Sequence, residues 1–242
     1  MKKLLCILIS TNTCFLSFGQ YNGFYPPHTK WYQDPLGFRP LELSSATGFA
    51  FGAAAMVGTL LLTKKSSHLP FKRFIFTEGG VGLAYKPPYH QAFQQNTGLL
   101  LQVRNKMALG LEINMLYFKS RQSSNIAIGT RPFARWYLCE KNGLRLFAEY
   151  GGGISLSEHR FPLSGTGWDA DTARSGTRFN FTSKYGLGTE IKVGNKLFLH
   201  AGVRHFHLSN GNIKGIQRNP SHDSNGFFVG LLTSLEDRHR AK

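Results

Sequence analysis

The sequence predicts an all-β fold, an eight-stranded antiparallel transmembrane β-barrel with an N-terminal extension of unknown shape. Three observations predict it. Apolar and polar residues alternate with period two from Lys72 onward, turn residues interrupt that alternation at roughly ten- to fifteen-residue intervals, and the 27 Gly and 20 Phe suit many short strands better than helices. A chain of 242 residues accommodates one such domain.

The alternating segments are 73–86, 95–104, 107–119, 123–139, 144–157, 177–193, 196–209 and 223–235. Successive strand side chains point to opposite faces, so parity separates an outer set from an inner one. In the sixth segment Phe179, Phe181, Tyr185, Leu187, Ile191 and Val193 share one parity, while Arg178, Asn180, Thr182, Lys184, Glu190 and Lys192 share the other. In the third, Met107, Leu109, Leu111, Ile113, Met115 and Tyr117 oppose Glu112 and Asn114. The polar set is sparse and of both signs. Glu78, Glu112, Arg131, Arg135, Arg145, Glu149, Arg178, Lys184, Glu190 and Arg204 are expected to pair inside a barrel too narrow for a pore. A soluble barrel would need a partner to cover its apolar band, so the membrane barrel is the preferred reading.

Turn lengths orient the barrel. Asn105-Lys106, Glu140 to Gly143 and Gly194-Asn195 are tight and belong on the periplasmic side, whereas 158–176 and 210–222 are long and belong outside. Residues 1–19 read as a signal peptide: Lys2 and Lys3, an apolar stretch from Leu4 to Phe18, then Gly19 before Gln20. Residues 20–71 form the extension, 72–235 the barrel and 236–242 a C-terminal tail. Within the extension, Ala46 to Thr63 carries no charge, near the lower limit for a membrane helix. Cys6 and Cys14 fall in the leader, so the mature chain keeps only Cys139 and has no internal disulfide. The formal charge of +16 falls to +14 without Lys2 and Lys3, and calls for an anionic neighbour. Basic residues scattered singly along strands argue against a nucleic-acid partner and fit a phosphate-rich membrane surface better.

Chemistry is concentrated near the end of the chain, in Gly202-Val203-Arg204-His205-Phe206-His207-Leu208-Ser209-Asn210-Gly211 and Asn219-Pro220-Ser221-His222-Asp223. A serine hydroxyl becomes nucleophilic when an imidazole takes its proton and a carboxylate holds that imidazole in the useful tautomer. Ser209 and His207 are two apart on one strand face, about 6.6 Å between Cα atoms, and Asp223 on the next antiparallel strand can reach the far nitrogen of His207. His205, about 13 Å along the strand from Ser209, is too distant to serve as base. His222 has inward parity. His205 and His207 could form a metal pair, but no third ligand has suitable spacing. All three candidates share parity with the apolar outer residues, which places them on the lipid-facing side at the extracellular rim, where polar groups cost least.

These residues resemble the PagL-type lipid A 3-O-deacylases, whose pattern is His-x-Ser-Asn at the end of the penultimate strand, an Asn-containing loop, and an acid opening the last strand. His207, Ser209 and Asn210 match the first part, Asn219-Pro220 the loop and Asp223 the acid. Asp stands where Glu is common, Ser221 where Gly is usual, and the loop is slightly long. The resemblance implies an outer-membrane serine esterase that removes an ester-linked acyl chain, at the 3-position, from lipid A. It implies catalytic His207, Ser209 and Asp223, oxyanion or substrate contacts from Asn210, Gly211 and Asn219, and no metal or other cofactor. Lipid A or lipopolysaccharide would be the partner, with a homodimer allowed. The competing reading is a non-catalytic outer-membrane barrel that anchors or binds through loop 158–176. In that reading Ser209-Asn210-Gly211-Asn212 is simply a good turn.

Overall fold

Alternating strands joined by short turns pair with their sequence neighbours, and the eighth returns to the first. The computed structural model describes residues 46–64, 73–84, 90–120, 123–163, 175–211, 213–214 and 218–236. The expected leader, the extension up to 45, the tail from 237, and Trp168, Asp169 and Asp171 lie outside them. The strands are β1 (Arg73–Ala84), β2 (Gln91–Arg104), β3 (Met107–Lys119), β4 (Ser124–Lys141), β5 (Leu144–Leu163), β6 (Ser175–Lys192), β7 (Leu197–Ser209) and β8 (His222–Ser234). They form a closed antiparallel barrel in sequence order, β1 pairing with both β2 and β8. Closure removes every sheet edge, the condition for β structure in hydrocarbon.

Outside the barrel, Ile75, Leu99, Leu111, Ile113, Ile128, Leu156, Val229 and Phe227 are among many exposed apolar side chains. Such a band is unstable in water and stable in lipid. Inside, charges are buried in pairs. Glu112 forms an ion pair with Arg131 at 3.1 Å and accepts from Lys184 at 2.7 Å; Glu149 meets Arg135 at 2.9 Å and Arg204 at 2.6 Å. Glu190 meets Arg135 at 2.7 Å and also Arg145, and Glu78 meets Arg204 at 2.6 Å. Aromatic layers close over this network. Phe74, Phe76, Phe133, Phe147 and Phe198 cluster towards the short-turn end, and Phe118, Phe161 and Phe206 towards the other.

Five features depart from the sequence expectation. Met107, expected on the outer face, is fully buried at the start of β3, where the β2 register shifts between Gln102 and Arg104. β2 begins at Gln91, ahead of the expected 95, because Gln94 and Asn96 face the polar interior and blur the apolar alternation. β5 and β6 continue to Leu163 and from Ser175, so strand replaces part of the expected loop 158–176. Arg178 is exposed and donates to the Ser157 carbonyl at 3.2 Å; near the start of β6 it stands clear of the paired interior. The extension has shape at Ala46–Leu62, which forms an α-helix, α1.

Candidate active site

β7 and β8 set the geometry through their register, which pairs His207 with Asp223 directly. Nδ1 of His207 lies 2.7 Å from Oδ1 of Asp223. An ionised carboxylate only accepts, so Nδ1 is the donor and Nε2 carries the free lone pair. That lone pair faces the Ser209 hydroxyl at 2.9 Å. One imidazole is thus held between a carboxylate and a hydroxyl, the arrangement in which it can take the hydroxyl proton. The three residues occupy outward positions at the long-loop end of the wall, yet Ser209 is 8% and Asp223 5% exposed. A hydrogen bond so sheltered from water is stronger than an exposed one.

Two further side chains stand at Asp223, one of them hydrogen-bonded to it. Ser221 donates to Oδ2 at 2.9 Å, and His205 Nε2 stands 3.6 Å from Oδ1. His205 is itself fixed by Asn225 Oδ1, 2.8 Å from its Nδ1, and by stacking on Tyr185 with ring centroids 4.6 Å apart. Sequence reasoning assigned neither Ser221 nor His205 to the acid. Their parity with Asp223 and the cross-strand neighbourhood of β7 and β8 carry that signal. His222 points inward and packs against Phe118 at 5.0 Å between centroids, away from the hydroxyl.

The expected oxyanion residues divide. Gly211, with φ 63°, turns its N–H towards Ser209 Oγ at 3.4 Å. A non-glycine residue rarely adopts that φ, and a Cβ there would also meet Phe181 at 3.0 Å. Asn210 and Asn219 instead clamp the loop: the Asn210 N–H donates to Asn219 Oδ1 at 3.0 Å, and Asn210 Nδ2 donates to the Arg218 carbonyl. Among the described residues no group of three or more His, Cys, Asp or Glu is placed to hold a metal ion.

A closed eight-stranded barrel with an apolar outer band and a polar cluster at one rim of its lipid-facing wall defines an outer-membrane β-barrel protein. Residues 114–231 match the family model described as lipid A 3-O-deacylase (PagL). Among solved structures it is similar to the outer membrane enzyme PagL (TM-score 0.49, 17% identity, 64% of this chain and 97% of that one). It is also similar to Neisserial surface protein A (0.48, 10%, 67% and 97%) and to OprG from Pseudomonas aeruginosa (0.40, 9%, 69% and 97%). Comparison with curated protein sequences gives no match.

Proposed function

We propose that this chain is a serine esterase of the outer membrane that hydrolyses an ester-linked acyl chain of lipid A, the chain at the 3-position. The observation that carries the reading is the hydrogen-bonded series Asp223, His207, Ser209, with spacings of 2.7 and 2.9 Å, on the lipid-facing wall at its long-loop end. The family match over residues 114–231 supports lipid A as the substrate.

In this reading an outer-leaflet lipid brings its ester to Ser209 from within the membrane. His207 Nε2 takes the hydroxyl proton as Oγ attacks the acyl carbonyl, and Asp223 stabilises the imidazolium that results. The Gly211 N–H lies beside Oγ and is the donor best placed for the oxyanion. Collapse breaks the ester C–O bond, and the imidazolium returns its proton to the departing sugar hydroxyl. Water, deprotonated by His207, then releases the fatty acid from Ser209 by the same steps.

A fluorophosphonate probe tests the nucleophile. It should label purified protein on the peptide containing Ser209, and labelling should vanish in Ser209→Ala and fall by several orders of magnitude in His207→Ala. Equal labelling of wild type and Ser209→Ala would remove Ser209 from the reaction.

A further inference from the structure

Charge is absent from Ala46 to Thr63, and α1 occupies nearly all of that stretch. It is not long and apolar enough to cross a membrane, and no other described helix is. It does not stand alone, because it rests on the outer wall of the barrel. Gly52 is buried against Tyr150 of β5, so closely that a Cβ would clash with the ring. Further along, Trp136 of β4 donates from Nε1 to Thr59 Oγ1 at 3.0 Å, and Thr59 Oγ1 donates in turn to the Ala55 carbonyl at 2.8 Å. At the helix end, Arg104 of β2 donates to the Leu60 carbonyl through Nε at 3.0 Å and Nη2 at 2.8 Å. The helix thus descends obliquely from β5 across β4 to the short-turn rim.

These contacts solve the problem that hydrocarbon poses for a helix C-terminus. Its last carbonyls lack intrahelical partners, and each left unsatisfied in lipid costs several kcal/mol. Arg104 satisfies one of them and places a positive charge at the negative end of the helix dipole. The opposite face has no polar side to offer water. Ala50, Ala53, Ala54, Val57, Leu61 and Leu62 are exposed, Leu61 at 79%. A helix lying on a membrane surface would be amphipathic, whereas one apolar all round belongs inside an apolar medium. Leu101, Leu138 and Leu146, on the strands β2, β4 and β5 that it touches, are exposed as well.

We infer that α1 is embedded in the bilayer, packed on the β4–β5 wall, and that the partner of its exposed face is lipid acyl chain. It stands away from β7 and β8, and leaves the approach to Ser209 open. The inference is independent of the esterase reading.

Spin labels test it on the full chain, with its three cysteines replaced by serine, in dimyristoylphosphatidylcholine vesicles. Val57→Cys and Leu61→Cys place labels on exposed positions that do not disturb packing, with Ile128→Cys as a wall reference and Asn142→Cys as a turn reference. Labels at 57 and 61 should collide with oxygen as often as the label at 128, and at least tenfold less with a water-soluble nickel chelate than the label at 142. Nickel access equal to that at 142 would overturn the inference. So would dipolar broadening at 57 that disappears on dilution with unlabelled protein, which would place a second copy on this face. Trp136→Phe should then raise label mobility at 57 without unfolding the barrel; unchanged mobility would remove the helix from the wall.

Discussion

At Asp223 three neighbours converge on one carboxylate: His207 and His205 at Oδ1, Ser221 at Oδ2. The His207 contact leads on to the Ser209 hydroxyl, so the side chains around the acid should differ sharply in weight. Asp223→Ala should lower the deacylation rate by about 10⁴-fold, as loss of the orienting acid does in soluble Ser-His-Asp sites, while the barrel still assembles. His205→Ala should be mild, since its ring lies beside the acid and does not reach Ser209. Steady-state rates on purified lipid A decide between them, and a silent His205→Ala with an active His207→Ala would reverse the assignment of the base. Much of this was legible in sequence, because parity alone places His207, Ser209 and Asp223 on one face. Register was not. The direct pairing of His207 with Asp223 depends on where β8 begins after the 210–221 loop, and the roles of Ser221 and His205 depend on that same offset. Asn210 and Asn219 looked equivalent to Gly211 as donors, yet both are engaged in closing the loop.

The strands show how side-chain periodicity survives a mixed composition. β3 and β7 were bounded by the sequence within a residue, because each alternates cleanly between short and recognisable turns. The expected β2 starts at 95 and omits Gln91 and Gln94, because amides interrupt the apolar alternation, although an inward-facing amide is well placed in this interior: Asn96 donates to Glu78 at 2.8 Å. The helix was the hardest element to read. An apolar, Ala- and Gly-rich run has no amphipathic signal, and only the wall beneath it, with Gly52 under Tyr150, gives it a place. Turn lengths fix the orientation of the strands and lead to a direct test. An epitope inserted between Leu163 and Ser175 should bind antibody on intact cells, while one at Asn142 should bind only after permeabilisation. The reverse pattern would put Ser209 at the periplasmic leaflet.

The described barrel inverts a soluble protein, with apolar side chains outside and, among the described residues, four carboxylates sharing five cations within. Buried pairs of this kind add little net stability, but breaking one strands its partner and costs about 3 to 5 kcal/mol. Glu149 meets both Arg135 and Arg204, so Glu149→Gln should shift the urea unfolding midpoint of the detergent-solubilised barrel downwards by a corresponding amount. A change below about 1 kcal/mol would show that the network is dispensable. In the proposed reading this plugged interior takes no part in the reaction: aromatic layers lie on both sides of the charges, and His207, Ser209 and Asp223 stand on the outer wall.

The central claim is that Ser209, activated by His207, cleaves an acyl ester of lipid A. Mass spectrometry of lipid A incubated with the purified protein tests it most directly. Wild type should remove the mass of one ester-linked 3-O acyl chain and release the matching free fatty acid, and Ser209→Ala, equally folded, should leave lipid A intact. Unchanged lipid A with the wild-type protein, or the same loss with Ser209→Ala, would contradict it.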